Sequence, residues 1–129
     1  STAKIIIMGD LNDDPTNASI IKHIGAQKTK ESTKNYGLYN PMYELFKKKG
    51  IGSLAYNDKW NLFDQFIVSY PLISKSIGGY KFIKAGVFNK PYLMQKEGQF
   101  AGYPFRTYVG TTFMGGYSDH FPSFIIISK

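Results

Sequence analysis

The sequence predicts a single α/β (α+β) domain, and three observations carry that reading. Short β-branched runs lie at both ends, Ile5-Ile6-Ile7-Met8 and Phe124 to Ser128. Further segments of strand length recur between them, at Leu62 to Ser69 and Tyr80 to Phe88. Two other stretches carry helix start and stop signals. At 129 residues the chain has the length of one domain, which buries roughly two thirds of the surface its unfolded form exposes.

Ile5 to Met8 is a continuous apolar run closed by Gly9, the pattern of a strand buried on both faces. A loop follows. Pro15, Thr16 and Asn17 then precede Ala18 to Gly25, a short helix with Ile20, Ile21 and Ile24 on one face and a glycine at its end. Gln27 to Tyr39 is polar and lysine-rich without either period, so a mobile surface loop is expected there. Asn40 and Pro41 open a second helix: Asn40 can cap it and Pro41 suits its first position. Met42, Leu45 and Phe46 form its apolar face, and Lys47 to Lys49 complement its carbonyl end before Gly50. Ser53 to Tyr56 and Leu62 to Ser69 read as strands. Within the second, Asp64 is an anomaly, because a carboxylate among apolar neighbours is costly unless paired or solvated in a cleft. Tyr80 to Phe88 is a further strand, Asn89 to Gly116 is mostly loop, and Phe124 to Ser128 is a final buried strand.

Composition narrows the chemistry. Ten Tyr, ten Phe and one Trp make the chain aromatic-rich. A formal charge of +7 serves solubility and also attracts phosphate-bearing ligands. Fifteen of the sixteen bases are Lys, which leaves Arg106 as the sole planar fork for a phosphate. Without cysteine there is neither a disulfide nor a thiolate metal site, so any metal takes oxygen or imidazole ligands. No apolar stretch approaches the roughly 20 residues that cross a bilayer, and Ser1 to Lys4 lacks the core of a signal peptide.

Asp10, Asn12 and Asp14 fall at alternate positions, as at the start of an EF-hand loop, but Pro15 and Ile21 stand where that loop needs Gly and a bidentate Glu. Two readings then stay open for these residues alone. They form a plain acidic turn, or they follow a strand into a ligand crevice, where Asp10 offers a base and Asn12 an oxyanion donor. Of the two histidines, His23 belongs to a helix and reads as structural. His120 follows a Gly-Gly-Tyr-Ser turn and precedes Phe121-Pro122, so its ring sits at a strand edge. With a carboxylate partner it can hold a proton and stabilise phosphate charge, and Asp64 is the candidate partner.

Ile7-Met8-Gly9-Asp10-Leu11-Asn12, Leu62 to Ser69 and Ser118-Asp119-His120-Phe121-Pro122 together resemble, in order and spacing, the carboxy-terminal motifs of the endonuclease/exonuclease/phosphatase superfamily. That DNase I-like group includes nucleases, abasic-site endonucleases, inositol-polyphosphate phosphatases and bacterial sphingomyelinases. The stretch from Asn89 to Gly116 looks like that of Bacteroidetes-type members. The resemblance implies that Asp10 deprotonates the attacking water, Asn12 steadies the transition state, Asp64 orients His120, and His120 binds the scissile phosphate. Asp119 is implied near a Mg2+ or Mn2+ ion, and water attacks phosphorus in line.

The family's main metal ligands come from an amino-terminal half, and this chain starts nine residues before Asp10. The resemblance therefore implies half of a four-layer αββα sandwich, one mixed sheet with helices on its outer face, with little activity alone. The bare inner face is expected to drive a homodimer. A nucleic-acid substrate is favoured by charge and by Tyr103, Phe105 and Tyr108 near Arg106, which otherwise serve packing. A lipid or inositol phosphate substrate, or a binding module without catalysis, are the competing functions.

Overall fold

The computed structural model describes residues 2–129. The strands in chain order are β1 (Ile6–Asp10), β2 (Ala26–Gln27), β3 (Leu38–Tyr39), β4 (Leu54–Tyr56), β5 (Lys59–Asn61), β6 (Asp64–Ser69), β7 (Lys81–Val87), β8 (Tyr108–Val109), β9 (Thr112–Phe113) and β10 (Ser123–Ser128), with one α-helix, α1 (Met42–Lys47). The fold is α+β and mainly sheet. A mixed sheet runs in the order β1-β6-β3-β2, with β6 antiparallel to both neighbours and β2 parallel to β3. Three antiparallel ladders complete it: β10 with β7, β4 with β5 and β8 with β9. Among the described residues no helix is long and apolar enough to cross a membrane.

Local chemistry accounts for α1. Asn40 Oδ1 accepts the Met42 N–H at 2.9 Å, Pro41 is set at φ −66°, and Gly50 leaves the helix at φ +65°. Met42 and Leu45 then pack with Leu62 against Ala85 and Val87. A second cluster joins Ile20, Ala26 and Ile67, and a third joins Tyr39, Val68, Leu72 and Phe82.

Several expectations are corrected. β1 is not buried on both faces: it is an edge strand with only β6 beside it, so Ile7 is partly covered while Ile6 is exposed and Met8 is 68% exposed. The strand also runs through Gly9, at φ +150°, to Asp10 instead of ending there. Residues 18–25 form a five-residue π-helical turn, Ser19–His23, closed by the Ile24 N–H on the Ser19 carbonyl. Only Ile20 of its apolar trio is buried, Ile24 being exposed. The stretch from Gln27 to Tyr39 is not irregular throughout, because its ends pair as β2 and β3 and Thr33 is buried between them. β5 is a strand the sequence did not announce; it returns from β4 through Asn57 and Asp58, both at positive φ (48° and 58°), a hairpin turn of the primed kind. β10 is not wholly buried, since Ile126 and Ile127, on either side of a shift in register, are exposed.

Buried polar groups lock the β1–β6 ladder to its surroundings. Gln65, 1% exposed on the middle strand, donates through Nε2 to the Asp13 carbonyl and accepts at Oε1 from Asn40 Nδ2 at 2.8 Å. Asp14, also buried, accepts the Leu62 N–H at 2.8 Å and Asn61 Nδ2 at 2.7 Å. Asp13 accepts from Asn17 Nδ2 and Ser19 Oγ. These bonds, Ser19 first, hold its carboxyl below the ordinary aspartate range against a small opposing desolvation.

Replacing Gln65 with Leu strands the Asn40 amide and the Asp13 carbonyl, and should lower unfolding free energy by about 2–4 kcal/mol in urea titration. For Asp13 the depressed folded value adds stability above the unfolded pKa, lost as pH falls through the folded one. Asp13→Asn should therefore lower the melting temperature at neutral pH, where that stability is present, and flatten the acid limb of the profile.

Candidate active site

The site begins with the register of β1 and β6. Asp10 is paired with Asp64. Ladder hydrogen bonds fall at Leu11 N–H to the Phe63 carbonyl and Ser69 N–H to the Ile5 carbonyl. The Asp10–Asp64 pair thus lies between bonded pairs, where facing Cα atoms approach to about 4.5 Å and side chains are closest. Two carboxylates consequently share one face at one end of the ladder. Like charges so placed repel unless donors or a cation answer them.

Asp64 has its donors. Its Oδ2 accepts from Ser53 Oγ at 2.5 Å and from His120 Nδ1 at 2.7 Å. A carboxylate only accepts, so Nδ1 carries the proton. The two side chains are 22% (His120) and 24% (Asp64) exposed, covered enough to hold the pair and open enough for a ligand to reach it. The chain around them is stapled on both sides: the Phe121 N–H donates to the Ser53 carbonyl at 2.7 Å and the His120 N–H to Ser118 Oγ at 3.1 Å. Phe121 is buried and stacks on Trp60, ring centroids 6.1 Å apart at 15°. A bulky neighbour thereby anchors a polar ring.

Asp10 Oδ1 accepts the Asn12 N–H at 2.9 Å, and Asn12 turns the chain at φ +52°, a conformation asparagine tolerates. Asn12 itself is exposed. Asp10 and Asp64 border a cavity of about 240 Å³ with Met8, Gly9, Phe66 and Ser123. Asp64 and His120 border a second of about 230 Å³ with Tyr117 and Ser118.

The six residues singled out from sequence fall in two groups. Asp10, Asp64 and His120 come together, with Asn12 bound to Asp10. Asp119 and Arg106 come together elsewhere, in a cavity of about 340 Å³ beside Thr107, Tyr108, Tyr117 and Ser118. His23 is exposed on the π-helical turn, apart from both cavities. Ser53 is a member without a sequence signal, since a serine at the start of a strand has many uses. Ser123 is another; its Oγ is buried without a partner among the described residues.

Among those residues no group of three or more His, Asp or Glu side chains is placed to hold an ion. Asp64 Oδ2 is occupied by Ser53 and His120 Nδ1 by Asp64. Among its described residues this chain thus brings no set of three such side chains to an ion, while the carboxylates of Asp10 and Asp64 face each other. Its own chemistry is that of a paired imidazole, a facing carboxylate and a nearby amide. In comparisons with known proteins, a model of the endonuclease/exonuclease/phosphatase family matches residues 1–129. No curated protein and no solved structure matches the chain.

Proposed function

The chain belongs to the endonuclease/exonuclease/phosphatase family, and on that premise we propose that it serves the hydrolysis of phosphate esters, phosphodiesters in particular. The observation supporting this reading most is the meeting of Asp10, Asp64 and His120 at one end of the β1–β6 ladder. In the proposed reaction Asp10 takes a proton from water as the water oxygen bonds to phosphorus, and the bond to the leaving oxygen breaks in line. That oxygen takes a proton from solvent, to which Asp10 later returns its own. Asp64 keeps the His120 proton on Nδ1 when the ring is neutral, so that Nε2 faces the ester. A charged ring would donate from Nε2 to a phosphoryl oxygen. The Asn12 amide is a second donor to the oxygens that gain charge. Asp119 and Arg106 flank the path, the guanidinium suited to a neighbouring phosphate.

A divalent ion, Mg2+ or Mn2+, would supply Lewis-acid stabilisation of the phosphoryl charge, with Asp119 as the nearby carboxylate of this chain and further ligands beyond those the described residues bring together. The test is an assay of the native protein on supercoiled plasmid, abasic duplex, sphingomyelin and inositol phosphates, each with and without Mg2+ or Mn2+. Asp10→Asn and His120→Ala should each lower the rate on the preferred ester by about 10²–10⁴-fold with an unaltered far-ultraviolet circular dichroism spectrum. Undiminished rates in both variants would overturn the assignment, and a protein that binds the esters without cleaving them is a binding module.

The apolar face carrying Ile6 and Met8, with Phe66 opposite Met8, is proposed as the contact surface of a homodimer. Sedimentation velocity at micromolar concentration should give a dimer, and Met8→Lys a monomer. A monomeric unmutated chain refutes the contact.

A further inference from the structure

Four cavities follow one another across the molecule by sharing residues. Asp64 belongs to the two that hold the carboxylate pair and the imidazole. Tyr117 and Ser118 join the imidazole cavity to the one bordered by Asp119. Arg106 joins that cavity to a fourth, of about 250 Å³, walled by Tyr56, Phe100, Tyr103 and Pro104. The lining changes along this path from carboxylates and imidazole, through hydroxyls and a guanidinium, to aromatic rings.

The fourth cavity has a braced back and a free front. At the back, Tyr103 Oη donates to Asp58 Oδ1 at 2.7 Å, which fastens the loop to the β4–β5 turn. That bond to a carboxylate holds the phenol above the ordinary tyrosine range. The Tyr103 ring meets Trp60 edge-on at 5.5 Å, and Trp60 in turn stacks on Phe121, next to the catalytic candidate His120. At the front, Tyr56 is 67% and Phe100 47% exposed. Neither ring belongs to a core cluster. Phe100 touches only the Tyr103 ring among the aromatic contacts, at 5.6 Å.

We propose that this cavity is a subsite for the planar ring of a nucleotide, whose phosphate is taken by Arg106 and whose scissile ester lies toward His120. Three things select that occupant. The exposed rings offer stacking faces, which favour a planar heterocycle over an acyl or sugar group. Arg106, the one guanidinium in a chain of net charge +7, stands between the rings and the Asp119 cavity, where a phosphate attached to the ring would fall. The cavity, at about 250 Å³, is sized for one small group and not for a duplex. The inference rests on the phosphoesterase reading above and adds which end of the substrate the aromatic loop holds.

Trp60 is the only tryptophan in the chain and contacts the Tyr103 wall, so its fluorescence reports occupancy. The whole chain is titrated with adenosine 5′-monophosphate, ribose 5-phosphate and phosphocholine. The nucleotide should perturb the emission saturably and bind about tenfold more tightly than ribose 5-phosphate. Phe100→Ala and Tyr56→Ala should each weaken the nucleotide about tenfold and leave ribose 5-phosphate unchanged, while Arg106→Lys should weaken both. The comparison among ligands on the unmutated chain needs no variant to fold. Equal binding of nucleotide and ribose 5-phosphate, no binding of either, or a preference for phosphocholine overturns the subsite. Hydrolysis assays on the unmutated chain bear on the other reading independently, since turnover of phosphate esters without any nucleotide preference would keep the phosphoesterase reading and overturn the subsite.

Discussion

Gln65 stands on the central strand at a position where an aliphatic residue would ordinarily pack, and its buried amide pairs with two partners. One is the carbonyl of Asp13, in the loop that leaves β1; the other is Asn40, which in turn receives the first N–H of α1. A single buried side chain thus fixes three segments relative to one another. Asp14 adds a second clamp by receiving the Leu62 and Asn61 donors just before β6. Buried amides and carboxylates of this kind are costly when unpaired and highly directional when paired. Here the direction matters more than the energy, because the loop so held begins at Asp10 and Asn12.

Adjacent acidic residues consequently divide into two kinds. Asp13 and Asp14 satisfy donors and close the turn, whereas Asp10 uses one oxygen on the Asn12 N–H and keeps its place across from Asp64. The string Asp10-Leu11-Asn12-Asp13-Asp14 contains no sign of this division, since the same residue type serves both ends. It is decided by the donors that Asn17 and Ser19 offer Asp13 and that Asn61 and Leu62 offer Asp14.

Legibility of the sequence followed how local each cause was. α1 was readable because Asn40, Pro41 and Gly50 act within one or two turns. The existence of β1, β6, β7 and β10 was readable from apolar patterning, but the bare face of β1 was not: an isoleucine run looks the same whether or not another layer covers it. β2 and β3 are two residues long, too short for any period, and form only because β6 offers its edge. The π-helical turn depends on how Asp13 grips Asn17 and Ser19, which spacing cannot show. A charge inside the apolar 62–69 segment did point to a paired carboxylate at Asp64, because burial without a partner would be too costly. Ser53, which completes that pairing, carries no comparable penalty and so left no trace.

The facing carboxylates of Asp10 and Asp64 have a further implication for how this molecule can change over time. Their mutual repulsion is a standing cost, met only in part by Ser53 and His120 on one side of the pair. Selection for ruggedness alone would therefore tend to erase Asp10, whose side chain takes only the Asn12 N–H, and drift toward an amide there would ease the repulsion. A chain that keeps both is retaining a liability at its working edge, and thermostable relatives that have lost one would be the natural place to look for members that have given up the chemistry.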